Sequence, residues 1–192
     1  MKIGYSVEGS TDRALIKGLK NRWCPDAELI EGRFRGSTHE SLRREYQKIC
    51  DEFQFRSVDW MVFLTDSNTR PWRDVQRDER EKFPPECQNR AIHGVADRNV
   101  ESWLCADADW LGKRLSCDPN RFRCDDPKGP FEGAMEITRD DKREDEIALI
   151  VKDAPLGVWL ANNKSFENFY DQVRDASQQS GCAIENVREH SQ

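Results

Sequence analysis

The chain has 192 residues and a hydrophobic fraction of 36 %, which suits one domain with a modest core and an extension. Six Trp and nine Phe offset the low aliphatic content, because each buries a large area. The formal net charge of −6 excludes a surface that is basic all over, so contact with nucleic acid would need a local basic patch or bound cations. No apolar run approaches the length of a membrane span, and Met1-Lys2 leads at once into a strand-like run. The expectation is a cytoplasmic protein without membrane contact.

Lys2 to Val7 reads as a short buried strand broken by Gly9 and Ser10. A helix follows from about Asp12, with Ala14, Leu15, Leu19 and Trp23 on one face. Ala27 to Phe34 reads as a second strand. Gly36-Ser37-Thr38 forms a loop that caps a helix running to about Phe53. Val58 to Thr65 is the clearest strand, a nearly continuous apolar run fit for burial on both faces. Trp72 to Lys82 reads as a charged helix ended by Pro84-Pro85, Arg90 to Val95 as a fourth strand, and Asn99 to Trp110 as one helix. Residues 117–144 are rich in Asp, Pro, Lys and Gly and read as a surface loop or insertion. Glu146 to Val151 and Phe166 to Val173 read as short helices, and 176–192 as a polar tail.

Strand and helix alternating four times specify an α/β domain over 1–175. It has a mainly parallel, Rossmann-like sheet of about four strands, flanking helices and a small C-terminal helical extension. Seven cysteines (24, 50, 87, 105, 117, 124 and 182) show no Cys-x-x-Cys spacing. That pattern predicts reduced thiols rather than a disulfide framework or a zinc ribbon.

In open α/β sheets, ligands gather at the carboxyl ends of the strands. Glu8 follows the first strand, Asp66 the third, and Asp97 and Glu101 the fourth. Carboxylates brought together at one edge suit a hard divalent cation, which prefers oxygen ligands. Each has an ordinary alternative as a turn former or helix cap.

The run Val7-Glu8-Gly9-Ser10-Thr11-Asp12 resembles the opening motif of the Toprim domain, the fold shared by topoisomerases, bacterial primases and a class of nucleases. Leu64-Thr65-Asp66-Ser67-Asn68 resembles that family's Asp-x-Asp motif, with Asn68 in the second acidic position. Val100-Glu101-Ser102-Trp103-Leu104-Cys105-Ala106-Asp107 is similar to a Glu-x-Trp-x-x-Ala-Asp stretch of small stand-alone Toprim-like proteins. Ser165-Phe166-Glu167-Asn168-Phe169 resembles a short helix of the same group. Such proteins are often encoded beside an ATPase, and relatives occur in anti-phage systems.

The resemblance implies a Mg²⁺- or Mn²⁺-dependent nuclease cleaving DNA or RNA, working with an ATPase partner. Glu8 would act as general acid, general base or metal ligand. Asp66 would bind the metal, with Asn68 as a weaker ligand, and Glu101 would serve a second ion. In that family the glycine after the Glu lets the chain turn tightly into its helix. Asp12 either completes the ligand set or is a first-turn acid favoured by the helix dipole. Lys128 either offsets charge on a scissile phosphate or is an exposed loop lysine. Arg70, Arg73, Arg77 and Arg80, with Trp72 among them, form either a nucleic-acid face or intrahelical ion pairs with their acidic neighbours. Arg33, Arg35, Arg43 and Arg44 form a second basic concentration. The competing expectations are a non-catalytic Toprim-like module that binds an ATPase or nucleic acid, and a different hydrolase or phosphoryl-transfer enzyme on the same scaffold. An oligomer is compatible with each.

Overall fold

A computed structural model describes residues 1–32, 39–136, 140–180, 182 and 184; the side chains of 39–44, 140–141 and 179–180 are outside the description. The loop expected at Gly36-Ser37-Thr38, together with Arg33, Phe34, Arg35 and the side chains of Arg43 and Arg44, therefore lies outside the described residues.

Four strands form one parallel sheet in the order β2-β1-β3-β4. They are β1 (Lys2–Ser6), β2 (Glu28–Glu31), β3 (Trp60–Asp66) and β4 (Ala91–Ala96). Helix α1 (Ser10–Trp23) links β1 to β2, α2 (His39–Phe55) links β2 to β3, and α3 (Trp72–Lys82) with a 3-10 turn (Pro85–Arg90) links β3 to β4. The alternating α/β architecture expected from the hydrophobic pattern is present.

The central strand β3 is buried on both sides. Trp60, Val62 and Leu64 belong to one apolar cluster, whereas Met61 and Phe63 belong to another with Ile49 and Phe53 of α2. This is the two-residue period of a strand dividing its side chains between two layers. Gly4 in β1 admits the Phe53 ring, since a Cβ there would stand 2.8 Å from Phe53 Cε2.

The structure departs from expectation in four places, three of them beyond β4. The single helix expected over Asn99 to Trp110 is two: α4 (Glu101–Leu104) and α5 (Ala108–Leu115). Asp107 causes the break, because its Oδ1 accepts from the Trp110 N–H at 3.0 Å and starts α5 anew. The expected loop or insertion over 117–144 contains a 3-10 turn (Pro119–Phe122), α6 (Lys128–Met135) and the start of α7 (Asp140–Asp153). Short-range composition hides α6, which forms because Phe131, Ala134 and Met135 bury against the main core. Full burial of a side chain of the Phe or Met size contributes about 2 kcal/mol.

The third departure is a further helix, α8 (Leu156–Asn162), and a longer last helix, α9 (Lys164–Ser180). α9 runs past residue 175, where a polar tail was expected, and Ser177 on it is buried. The fourth concerns the thiols. Cys24 is joined to Cys182 across 158 residues, and Cys50 to Cys87 across 37, while Cys105, Cys117 and Cys124 are free. Tertiary packing sets these pairs at Cα separations of 5.6 and 6.3 Å, within disulfide range, so the expectation of seven reduced thiols is corrected.

β4 is the sheet's edge strand, and its exposed backbone is covered by α9. Gln172 Oε1 accepts from the His93 N–H at 3.3 Å, and Gln172 Nε2 donates to the His93 carbonyl at 3.2 Å. Gln76 Nε2 donates to the same carbonyl at 2.7 Å. A side-chain amide thus stands where a fifth strand's peptide would, which blunts the edge against pairing with another chain. Among the described residues no helix is long and apolar enough to cross a membrane.

Candidate functional site

The connection leaving β1 runs to one side of the sheet and the one leaving β3 runs to the other, given the order β2-β1-β3-β4. The crevice between the carboxyl ends of β1 and β3 is therefore the topological switch point, the place where α/β sheets collect ligands. Glu8 and Asp12 approach it from the β1 side, Asp66 ends β3, and Glu101 opens α4.

Asp12 is buried, and its Oδ2 accepts from the Gly9 N–H at 2.8 Å. Gly9 sits at φ −127° and ψ 172°, extended backbone open to any residue, so the turn into α1 does not depend on glycine's conformational freedom. Asp66 Oδ1 accepts from the Val100 N–H at 3.0 Å. The two loops that follow β3 and β4 are laced together: Asn68 N–H donates to the Arg98 carbonyl at 2.9 Å and Arg98 N–H to Ser67 Oγ at 2.8 Å. Asn68 and Arg98 both adopt left-handed backbone, at φ 54° and 64°. That conformation costs an asparagine less than most residues and an arginine more.

The acids that border the crevice act on one another through their charge. Burial pushes the Asp66 carboxyl up to about 7, and Asp12, Glu101 and Glu8 add to the rise while Lys128 opposes it. Burial likewise raises Asp12 to about 6, helped by Glu101 and Glu8 and opposed by the Gly9 N–H. Burial raises Glu101 too, with Glu132 and Asp126 adding and Lys128 opposing. Glu8 is exposed at the mouth.

Lys128, on the first turn of α6, thus acts on Asp66 and Glu101 through its charge. Asp126 secures that turn, because its Oδ1 accepts from Asn99 Nδ2 at 2.8 Å and from the Lys128 N–H at 3.3 Å. Asn99 Oδ1 accepts in turn from the Ser102 N–H at 3.2 Å and caps α4. Sequence reasoning missed Asn99 and Asp126 as braces. The Asn-x-x-Ser spacing ahead of Trp103 was the available signal for the first, as a helix-capping pattern.

Trp103 anchors α4 from below: its Nε1 donates to Ser165 Oγ at 2.7 Å and its ring stacks on Phe169 at 5.2 Å. The Glu101-Ser102-Trp103 stretch and the Ser165-Phe166 stretch therefore meet in space. Ser165 Oγ also accepts from the Asp97 N–H at 3.0 Å, while the Asp97 side chain is exposed. Asn68 is exposed, its Nδ2 donating to the Asp66 carbonyl at 3.4 Å.

The arginines on α3 and just ahead of it are engaged locally. Arg70 pairs with Asp78 at 2.6 Å and Arg77 with Asp74 at 3.2 Å, whereas the Arg73 guanidinium lies over the Trp72 ring at 4.5 Å. Arg80 faces the opposite end of the sheet, donating to Gln172 Oε1 at 2.8 Å.

The donor set at the crevice is all oxygen, and burial first, with the neighbouring acids adding, raises the Asp12 and Asp66 carboxyls to about 6 and about 7. Among the described residues no three acidic, thiol or imidazole groups are drawn together as a ready-made metal cage. In chemistry and charge these carboxylate oxygens suit a hard cation, which takes oxygen ligands. No family model, curated protein or solved structure matches this chain.

Proposed function

We propose that this chain is a metal-dependent phosphodiesterase of the Toprim type that acts on DNA or RNA. The observation that supports it most is that Glu8, Asp12, Asp66 and Glu101 all border the sheet's switch point, with Asp66 raised to about 7 by burial first and its acidic neighbours second. Asp12 and Asp66 would hold Mg²⁺ or Mn²⁺, and Glu8 and Glu101 would stand at the margins of the same space. Bound there, the ion supplies charge neutralisation at a phosphoryl oxygen and lowers the pKa of the attacking water.

The chain's own groups do the rest. The Val100 N–H holds the Asp66 carboxylate in one orientation. Lys128, fixed by the Asp126 brace, presents an ammonium to the oxygens of a phosphate. Glu8, open to solvent, accepts the proton of the attacking water. The activity would serve an ATPase-linked anti-phage system, as the resemblance of the Val7–Asp12 and Val100–Asp107 stretches to small Toprim-like proteins implies. The experiment is incubation of supercoiled plasmid and of single-stranded RNA with the chain and Mn²⁺, beside Asp66→Asn. Cleavage by the native chain alone supports the reading, and equal cleavage by both, or by neither, rejects it.

A second reading has its own support. Asn68 replaces an acid and is exposed, and Arg70 and Arg77 are already neutralised by Asp78 and Asp74. A non-catalytic module that binds an ATPase or nucleic acid through this face would show saturable binding without turnover in the same assay.

A further inference from the structure

A second cleft, of about 390 Å³, opens at the opposite end of β4, where α3 ends and the 3-10 turn Pro85–Arg90 enters the strand. The cleft takes in Ala91 to His93 of β4, so at about 3.3 Å per residue it stands roughly 10–17 Å along the strand from Ala96 at the acidic end. Its polar walls are Arg80, Arg90, Gln88, Asn89, Gln172 and Asp175.

The arginines of the chain are held in different ways: Arg22 by backbone carbonyls, Arg73 and Arg121 over aromatic rings, and others by carboxylates. Arg13, Arg70, Arg77 and Arg114 are each matched by a carboxylate. Arg80 is instead held by a neutral amide oxygen, Gln172 Oε1 at 2.8 Å, and Arg90 by a neutral backbone oxygen, Val58 O at 3.1 Å. Among the described residues neither has a carboxylate partner. Both guanidiniums are thus positioned by acceptors that carry no charge, and each keeps N–H donors beyond the one used. Asp175, the carboxylate in the wall, accepts from Arg174 Nη2 at 3.3 Å. Gln172 also caps His93, so the element that fixes Arg80 is the one that closes the edge of the sheet.

Two anchored guanidiniums from different elements opening on one polar cleft match a tetrahedral oxyanion, which can take paired N–H···O bonds from each. The volume is that of a small-molecule site. We propose that this cleft binds the phosphate group of a small phosphorylated molecule. The proposal does not depend on the phosphodiesterase reading, because no residue of the acidic crevice lines it.

The test titrates the whole chain with inorganic phosphate, and separately with adenosine 5′-monophosphate, at fixed ionic strength and without divalent ions, read by calorimetry. The expected result is saturable binding, weakened by about tenfold in Arg80→Gln and in Arg90→Gln, and unchanged in Asp66→Asn. Tighter binding of the nucleotide identifies an organic phosphate as the occupant, and equal binding identifies phosphate itself. Arg80 is exposed, so Arg80→Gln decides the matter even if Arg90→Gln loses its fold through the Val58 contact. Absence of saturation, binding insensitive to Arg80→Gln, or an Arg80-dependent response confined to single-stranded oligonucleotides overturns the proposal.

Discussion

The Val100 N–H donates to Asp66 Oδ1 at 3.0 Å, so the last side chain of β3 is oriented by the backbone that starts α4. Glu101 is the next residue. One hydrogen bond therefore couples the two acids that stand 35 positions apart, and Asp66 cannot change its orientation without disturbing the entry to α4.

Asp66→Asn keeps an oxygen for the Val100 N–H and removes the charge. Metal-dependent cleavage should fall by about 10²-fold or more. At pH 8 without metal, the stability of the variant should rise by about 1 kcal/mol, since a carboxylate disfavoured by burial and three acidic neighbours is gone. Urea unfolding at pH 8 together with the plasmid assay checks both. A variant that is inactive and also less stable would mark Asp66 as structural.

Stability should depend on pH in opposite senses at the two ends of the sheet. Asp12 and Asp66 rise from 3.8 to about 6 and about 7 on folding, so the folded chain holds more protons than the unfolded one in that interval. Their contribution is full below about pH 4 and is lost as pH rises through 6 to 7. Mg²⁺ competes with those protons, so it should raise the melting temperature more at pH 8 than at pH 5. Calorimetry at both values decides it, and an equal or larger shift at pH 5 would contradict a cation held by these carboxylates.

His93 works the other way. Burial, with Arg80 adding, lowers it from 6.5 to about 4, so its contribution is present above pH 6.5 and lost as pH falls through about 4. Its ring stacks on Phe63 at 5.6 Å and meets Phe83 edge-on at 5.0 Å. His93→Phe keeps an aromatic ring there and removes the titration. Thermal unfolding from pH 7 to pH 4 should show a shallower acid limb for the variant.

Gln172→Leu should cost about 1–3 kcal/mol, because the buried edge of β4 loses the acceptor for the His93 N–H. The uncovered edge should also self-associate, seen as a concentration-dependent shift in size-exclusion chromatography. A monomeric variant of unchanged stability would show that Gln172 does not protect the edge.

Gly18→Ala tests the seat of α7. A Cβ there would stand 2.6 Å from the Ala148 carbonyl and 2.6 Å from Val151 Cβ, so α1 and α7 would have to part. The expected loss in urea unfolding is about 1–3 kcal/mol, against the gain of under about 1 kcal/mol that alanine brings to an exposed helix position. A stabilised variant would mean that α7 yields freely.

Four parallel strands and their intervening helices were legible in the chain because their signals are local. The apolar run of Trp60 to Leu64 and the helical period of Ala14, Leu15 and Leu19 each express a short-range repeat. The positions of Glu8, Asp66 and Glu101 at strand ends could be read for the same reason. Helix α6 could not, since its Lys-Gly-Pro opening carries no helical period and only contact of Phe131 and Met135 with the core makes it form. The pairing of Cys24 with Cys182, the effect of Lys128 on Asp66 and the contact of Arg80 with Gln172 were equally beyond reach. The linear chain determined which elements exist and which residues end them, because backbone periodicity and turn chemistry act over a few positions. The tertiary structure alone decided which charges meet and which are neutralised, because Coulomb energy and desolvation depend on distance and burial in space.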